Sequence, residues 1–158
     1  MVVYIELRIV GRSKLELLTK LFLYSLIYGL IHVNYIDLIV PGSSVSGYHL
    51  WLIALYFAPF VPILFILGFD DWELLVSMGL IASLMNDLFY YPLGNLLLNR
   101  SYDLLDCYAF QFGLKGFYVK WTADFGFARI PVSSLLMAFT IYARVALTVI
   151  VLWRWWHE

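Results

Sequence analysis

The chain has 158 residues, of which 63% are apolar and 13% charged, and its formal net charge is −1. Ordinary soluble domains are about 45–50% apolar and about 25% charged, and a fold of this size has too little interior to hide the excess. A near-neutral chain without a basic patch argues against nucleic acid, and a single cysteine, Cys107, excludes an internal disulfide or a cysteine metal cluster within one chain.

At the start, Val3, Ile5, Leu7 and Ile9 alternate with Tyr4, Glu6 and Arg8, a period of two that predicts a short β-strand ending at Gly11. A lone strand is unstable, so it requires a partner strand, for which another subunit is one source. A frayed tail or an interfacial helix is the competing reading.

Four apolar runs follow, each near the ~20 residues that a membrane-crossing helix needs. They are residues 21–40, 48–69, 74–98 and 130–153. Lys20 can snorkel at the start of the first, and Pro41-Gly42 ends it. A cleaved signal peptide competes for this run, because residues 42–46 are small. The long charged stretch ahead of it disfavours that reading. Pro131 suits a first helical turn of the fourth run, and Trp153, Trp155 and Trp156 resemble an interfacial belt. Asp70, Asp71 and Glu73 suit a solvated helix start. The expected fold is therefore an all-α bundle of four transmembrane helices in one integral membrane domain, residues 1–158. Counting Lys and Arg near the span ends gives five on the side of the termini and four on the other. That places both termini in the cytoplasm by a margin of one.

Between the third and fourth runs lies segment 99–129, with nine aromatic residues, among them Tyr102, Tyr108, Phe117, Trp121 and Phe127. A solvated loop is not this aromatic, so the segment is expected at the interface or over the bundle mouth. Gly113-Leu114-Lys115-Gly116 offers a hairpin turn within it.

The informative residues are the polar ones inside the runs. His32, Asp87 and Arg144 lie 11, 13 and 14 residues into their helices, at one depth. A charge there costs about 2.5–3.5 kcal/mol on insertion scales, so such groups turn inward and find partners. Asp87 is expected to pair with Arg144. Gly79, Ser83, Asp87 and Tyr91 form one stripe, and Ser133, Met137, Thr140, Arg144 and Thr148 a second. Tyr24, Tyr28, His32 and Tyr35 form a third. Pro59, Pro62 and Pro92 free the carbonyls of Leu55, Ala58 and Leu88, which need other donors in a membrane.

The expected intramembrane site is thus Asp87, Arg144, His32, Asn86 and Tyr91. His32, Asp87 and Asp37, with Asn34, are candidate ligands for a divalent metal, Zn²⁺ or Fe²⁺. A second candidate, at the mouth, is His49 with Asp103, Asp106 and Asp124. The bland reading makes Asp87–Arg144 a structural ion pair and the tyrosines packing. No phosphate loop, H-E-x-x-H, G-x-S-x-G or C-x-x-C is present. Three function classes stay open: a membrane protein with a buried polar or metal site, enzymatic or not; an oligomeric ion or proton channel or small transporter; and a non-catalytic subunit of a membrane complex. Beyond the lipid bilayer, a homo-oligomer or a partner subunit is expected.

Overall fold

A computed structural model describes residues 14–40 and 45–157. The strand expected at residues 3–9 and the Pro41-Gly42 stop lie outside the described residues. Among the described residues, four helical segments are long and apolar enough to cross a membrane: Lys14–Ile39, Tyr48–Leu67, Phe69–Leu98 and Ser134–His157.

The first is α1 (Lys14–Ile27), a π-helical turn (Tyr28–Val33) and α2 (Asn34–Ile39). The second is α3 (Tyr48–Phe57) and α4 (Phe60–Leu67), broken at Ala58-Pro59, where proline lacks the N–H a continuous helix needs. The third is a 3₁₀ turn (Phe69–Asp71) running into α5 (Trp72–Leu98). Then come α6 (Leu104–Gln111), β1 (Val119–Asp124), β2 (Arg129–Ser133) and the fourth long helix, α7 (Ser134–His157).

Helix α5 is the axis. It touches α1, the π turn, α2, α3, α4, α6 and α7. Small residues permit the close approach. A Cβ on Gly29 would lie 2.3 Å from the Ala82 carbonyl oxygen, and one on Gly79 would lie 2.3 Å from the Phe57 ring. Two of the three freed carbonyls find donors from neighbouring elements: the Tyr28 hydroxyl donates to Leu55 O at 2.8 Å, and the Tyr108 hydroxyl to Leu88 O at 3.0 Å.

The termini of the described chain meet at one end. Lys14 Nζ donates to Trp155 O at 3.1 Å, and Trp155 Nε1 to Asp71 Oδ1 at 2.7 Å. Glu73 is buried and pairs with Arg154 at 2.9 Å. Asp71 and Glu73 are thus tertiary contacts, where sequence suggested a solvated helix start. Above them Leu21, Phe60, Leu74, Leu75, Met78 and Ile81 form a dry core with Trp155.

At the opposite end, segment 99–129, an aromatic-rich connection expected at the interface or over the bundle mouth, contains regular structure. It holds α6 and the first strand of an antiparallel hairpin, β1–β2, with Thr122 opposite Pro131. The residues from Arg129 to Ser133 pair with β1, so the last helix begins at Ser134 and Pro131 lies in a strand. The hairpin turn lies at residues 125–128, where Phe125 N donates to Ala128 O at 2.9 Å and Gly126 takes φ 82°. Gly113 to Gly116 instead turns the chain from α6 into β1. The register shifts between Val119 and Trp121, leaving a bulge at Lys120.

Candidate functional site

A polar chamber opens between α2, α3, α5 and the α6–hairpin lid, with a volume of ≈ 970 Å³. Its floor is a connected hydrogen-bond network. Asn86 is the hub: its Oδ1 accepts from the Tyr56 hydroxyl at 2.7 Å. Its Nδ2 donates to Asn34 Oδ1 and to Asp37 Oδ2, both at 3.1 Å. Asp37 Oδ1 accepts from the Tyr48 hydroxyl. Asn34 Nδ2 in turn reaches the Gly29, Leu30 and Met85 carbonyls at 3.0, 3.2 and 3.3 Å. Tyr56, Asn34 and Asn86 are buried, so each bond is made in the low dielectric that strengthens it.

The π turn explains which face of the first span joins this network. An i→i+5 turn holds one residue more than an α turn and rotates everything beyond it. Ser25, Gly29 and Val33 are buried at four-residue steps, and the next buried apolar position is Leu38, five further on. Asn34 and Asp37 consequently reach α5, whereas His32 does not. His32 is exposed, stacks on Tyr28 with centroids 5.8 Å apart, and lines neither cavity. The expected ligand set of His32, Asp37 and Asp87 is therefore not assembled. Among the described residues no group of three His, Cys, Asp or Glu side chains comes together to hold a metal ion.

Asp87 and Arg144 do come together. They form an ion pair whose side chains are each 20% exposed. Arg144 Nη1 also donates to Ser83 Oγ at 3.1 Å and Nε to Thr140 O at 3.0 Å, so the two polar stripes of α5 and α7 meet. Beside this pair lies a second, largely apolar cavity of ≈ 470 Å³. Leu52, Ile53, Phe57, Leu80, Val132 and Leu136 line it. The two cavities share wall residues, including His49, Tyr56, Asp87, Trp121 and Met137, and are therefore adjoining.

The mouth candidate divides. His49 stacks on Trp121, with centroids 5.0 Å and planes 9° apart, and its Nδ1 accepts the Asp124 backbone N–H at 3.0 Å. In the neutral ring the proton therefore sits on Nε2. Asp124 shapes the hairpin turn: the Gly126 N–H at 2.7 Å, then the Gly47 N–H and the Arg129 guanidinium, hold its carboxyl below the usual carboxylate range. Asp103 caps α6 by accepting from Leu105 N and Asp106 N, and Asp106 pairs with Lys115 on the surface. Neither lines the chamber, because each is held by local structure.

Asn86, Asp87 and Tyr91 of the expected site line the chamber. Sequence reasoning did not assign Tyr48, Tyr56, Arg100, Gln111 or Lys120 to a site. Tyr48, Leu52, Tyr56 and Phe60 are all buried at four-residue steps, a period visible in the second run. Gln111 is the sole glutamine, and its buried Oε1 has no hydrogen-bond partner among the described residues, while its Nε2 donates to Asp87 O.

No family model, curated protein or solved structure matches this chain. The functional reading rests on the geometry alone.

Proposed function

We propose that the protein is an integral membrane protein that binds an amphiphile, with the polar head in the chamber and the apolar part in the adjoining pocket. The observation that carries this is the junction of the two cavities: a floor of carboxylate, amides and phenols beside a pocket of Leu, Ile and Phe. Binding sites of about 300–1,000 Å³ with few convergent polar groups in an apolar wall are the usual form for small ligands. Gln111 lines the chamber wall, with its Nε2 donating to the Asp87 backbone carbonyl beneath it. Asp37, held in place by Tyr48 and Asn86, is the carboxylate positioned to exchange a proton with a bound head group.

The membrane setting is supported by the outer surface, where Ile66, Phe139 and Val149 are 74%, 68% and 62% exposed. Phe117 and Phe127, 86% and 84% exposed on the lid, suit an interfacial seat. We take the ends of the chain as cytoplasmic and the lid as facing the other side. A pore through one chain is disfavoured, because the dry core around Met78 and Ile81 lies between the chamber and the termini.

Mass spectrometry of the protein purified in a mild detergent tests the reading. A defined amphiphile is expected with the wild type and reduced at least tenfold with Ile53→Trp or Leu136→Trp, which fill the apolar pocket. Equal retention by wild type and both variants, each still helical by circular dichroism, refutes it. Extraction of the protein from membranes by alkaline carbonate refutes the membrane setting.

A further inference from the structure

The amphiphile reading leaves the chemistry of the head group open, and two cations on the chamber wall bear on it. Arg100 and Lys120 both line the chamber, and among the described residues neither forms a salt bridge with a carboxylate. The other charged groups of the wall have partners: Asp87 is neutralised by Arg144, Asp124 by Arg129, and Asp37 is bound by Tyr48 and Asn86.

Each cation is held by groups that fix it without neutralising it. Asn99 ends α5 in the left-handed region at φ 50°, which folds Arg100 back so that its N–H reaches Gly94 O at 3.2 Å. Its guanidinium donates to the Tyr102 hydroxyl at 2.8 Å, the Tyr90 hydroxyl at 3.4 Å and Leu38 O at 2.9 Å. A guanidinium has five N–H donors, so two are uncommitted. Lys120 sits at the β1 bulge, a device that re-aims a side chain. Its ammonium lies 4.9 Å from the Tyr91 ring centroid and 5.6 Å from that of Phe110, and 3.3 Å from Cys107 Sγ. Tyr91 and Tyr102 touch edge to face at 5.2 Å, so one tyrosine platform carries both cations.

Two partly buried cations that form no salt bridge among the described residues attract a ligand that brings negative charge. We infer that Arg100 and Lys120 bind an anionic, phosphate-bearing group at the chamber mouth. This rests on the amphiphile reading for the part of the ligand below the phosphate. The phosphate belongs to a lipid head group or to a free anion, and the two sources differ in whether the apolar pocket contributes.

Thermal shift and equilibrium binding of the detergent-solubilised protein test this with three probes: a short-chain phosphatidic acid, a short-chain diacylglycerol of equal chain length, which lacks the phosphate, and inorganic phosphate. Phosphatidic acid is expected to bind at least tenfold tighter than the diacylglycerol. Arg100→Gln and Lys120→Met are each expected to remove most of that preference while leaving the phosphate-free diacylglycerol bound. Inorganic phosphate binding as tightly as phosphatidic acid, and lost in the same variants, supports the anion site and assigns its source to the free ion. Equal affinity for the two lipids overturns the inference while leaving the amphiphile reading standing. Absence of binding by all three probes overturns both. If either variant unfolds, charge retention decides: Arg100→Lys must keep part of the preference, and its full loss in folded protein overturns the role of Arg100.

Discussion

Replacing Asp87 by Asn should destabilise the bundle by about 2–3 kcal/mol, and removing both charges should recover most of that loss. Exposed ion pairs are worth about 0.2–1 kcal/mol. Breaking a buried pair costs about 3–5 kcal/mol, chiefly because the surviving charge is stranded. Asp87 and Arg144 are each 20% exposed, nearer the buried case, and the stranded Arg144 keeps its bonds to Ser83 and Thr140. Those bonds place the single variant below the full cost. In Asp87→Asn/Arg144→Met, with Arg144→Met as the other single variant, no charge remains to be stranded, and the pair should lie within about 1 kcal/mol of wild type. Unfolding in mixed micelles, followed by circular dichroism, measures all four corners of the cycle. For a chain of this size the single variant should melt about 5–10 °C lower. A coupling energy below about 0.5 kcal/mol means the two side chains act independently and refutes the pairing argument.

Gly29→Ala should cost about 1–3 kcal/mol, because its methyl meets the Ala82 backbone, whereas Gly79→Ala meets the Phe57 ring, which can turn, and should cost less; thermal melts of the two rank them. Asp103→Ala should remove about 1 kcal/mol from the α6 cap, read as faster amide exchange over residues 104–111. Because the folded carboxyl of Asp124 is held below its unfolded value near 3.9, its contribution is present above about pH 4 and is lost as pH falls through the folded value. Asp124→Asn should therefore lower the melting temperature at neutral pH, and its melting temperature should fall less steeply than wild type's below about pH 4; parallel curves count against it.

The four long apolar helices were readable from composition because nothing else satisfies so many contiguous apolar residues. Asp87 and Arg144 were readable as partners for a related reason. Each sits on a long helix without a phase break between it and its stripe, so a 3.6-residue period places it correctly. His32 was misplaced because the π turn at Tyr28–Val33 shifts the phase, and neither composition nor period announces such a turn. The same shift brought Asn34 and Asp37 inward. The hairpin was hidden for a different reason. Ile130, Pro131 and Val132 are apolar and adjoin a helix, and a short β-branched run beside a helix can be read either way.

Helix α5 shows why the chamber lies at one end. Leu74, Leu75, Met78 and Ile81 of its first half are buried against Leu21, Phe60 and Trp155. From Ser83 onward the side that faces the chamber carries Asn86, Asp87, Tyr90 and Tyr91, while Leu84 clusters with Phe110 and Met137. Packing needs only the first kind. A polar half costs desolvation that an apolar one of equal volume avoids, so its groups must be matched or used. Asn86, Asp37, Tyr48 and Tyr56 match one another, and Asp87 matches Arg144. The two cations, Arg100 and Lys120, are what that matching leaves over, and both line the same chamber. A fold that needed only register would have been served by the ion pair.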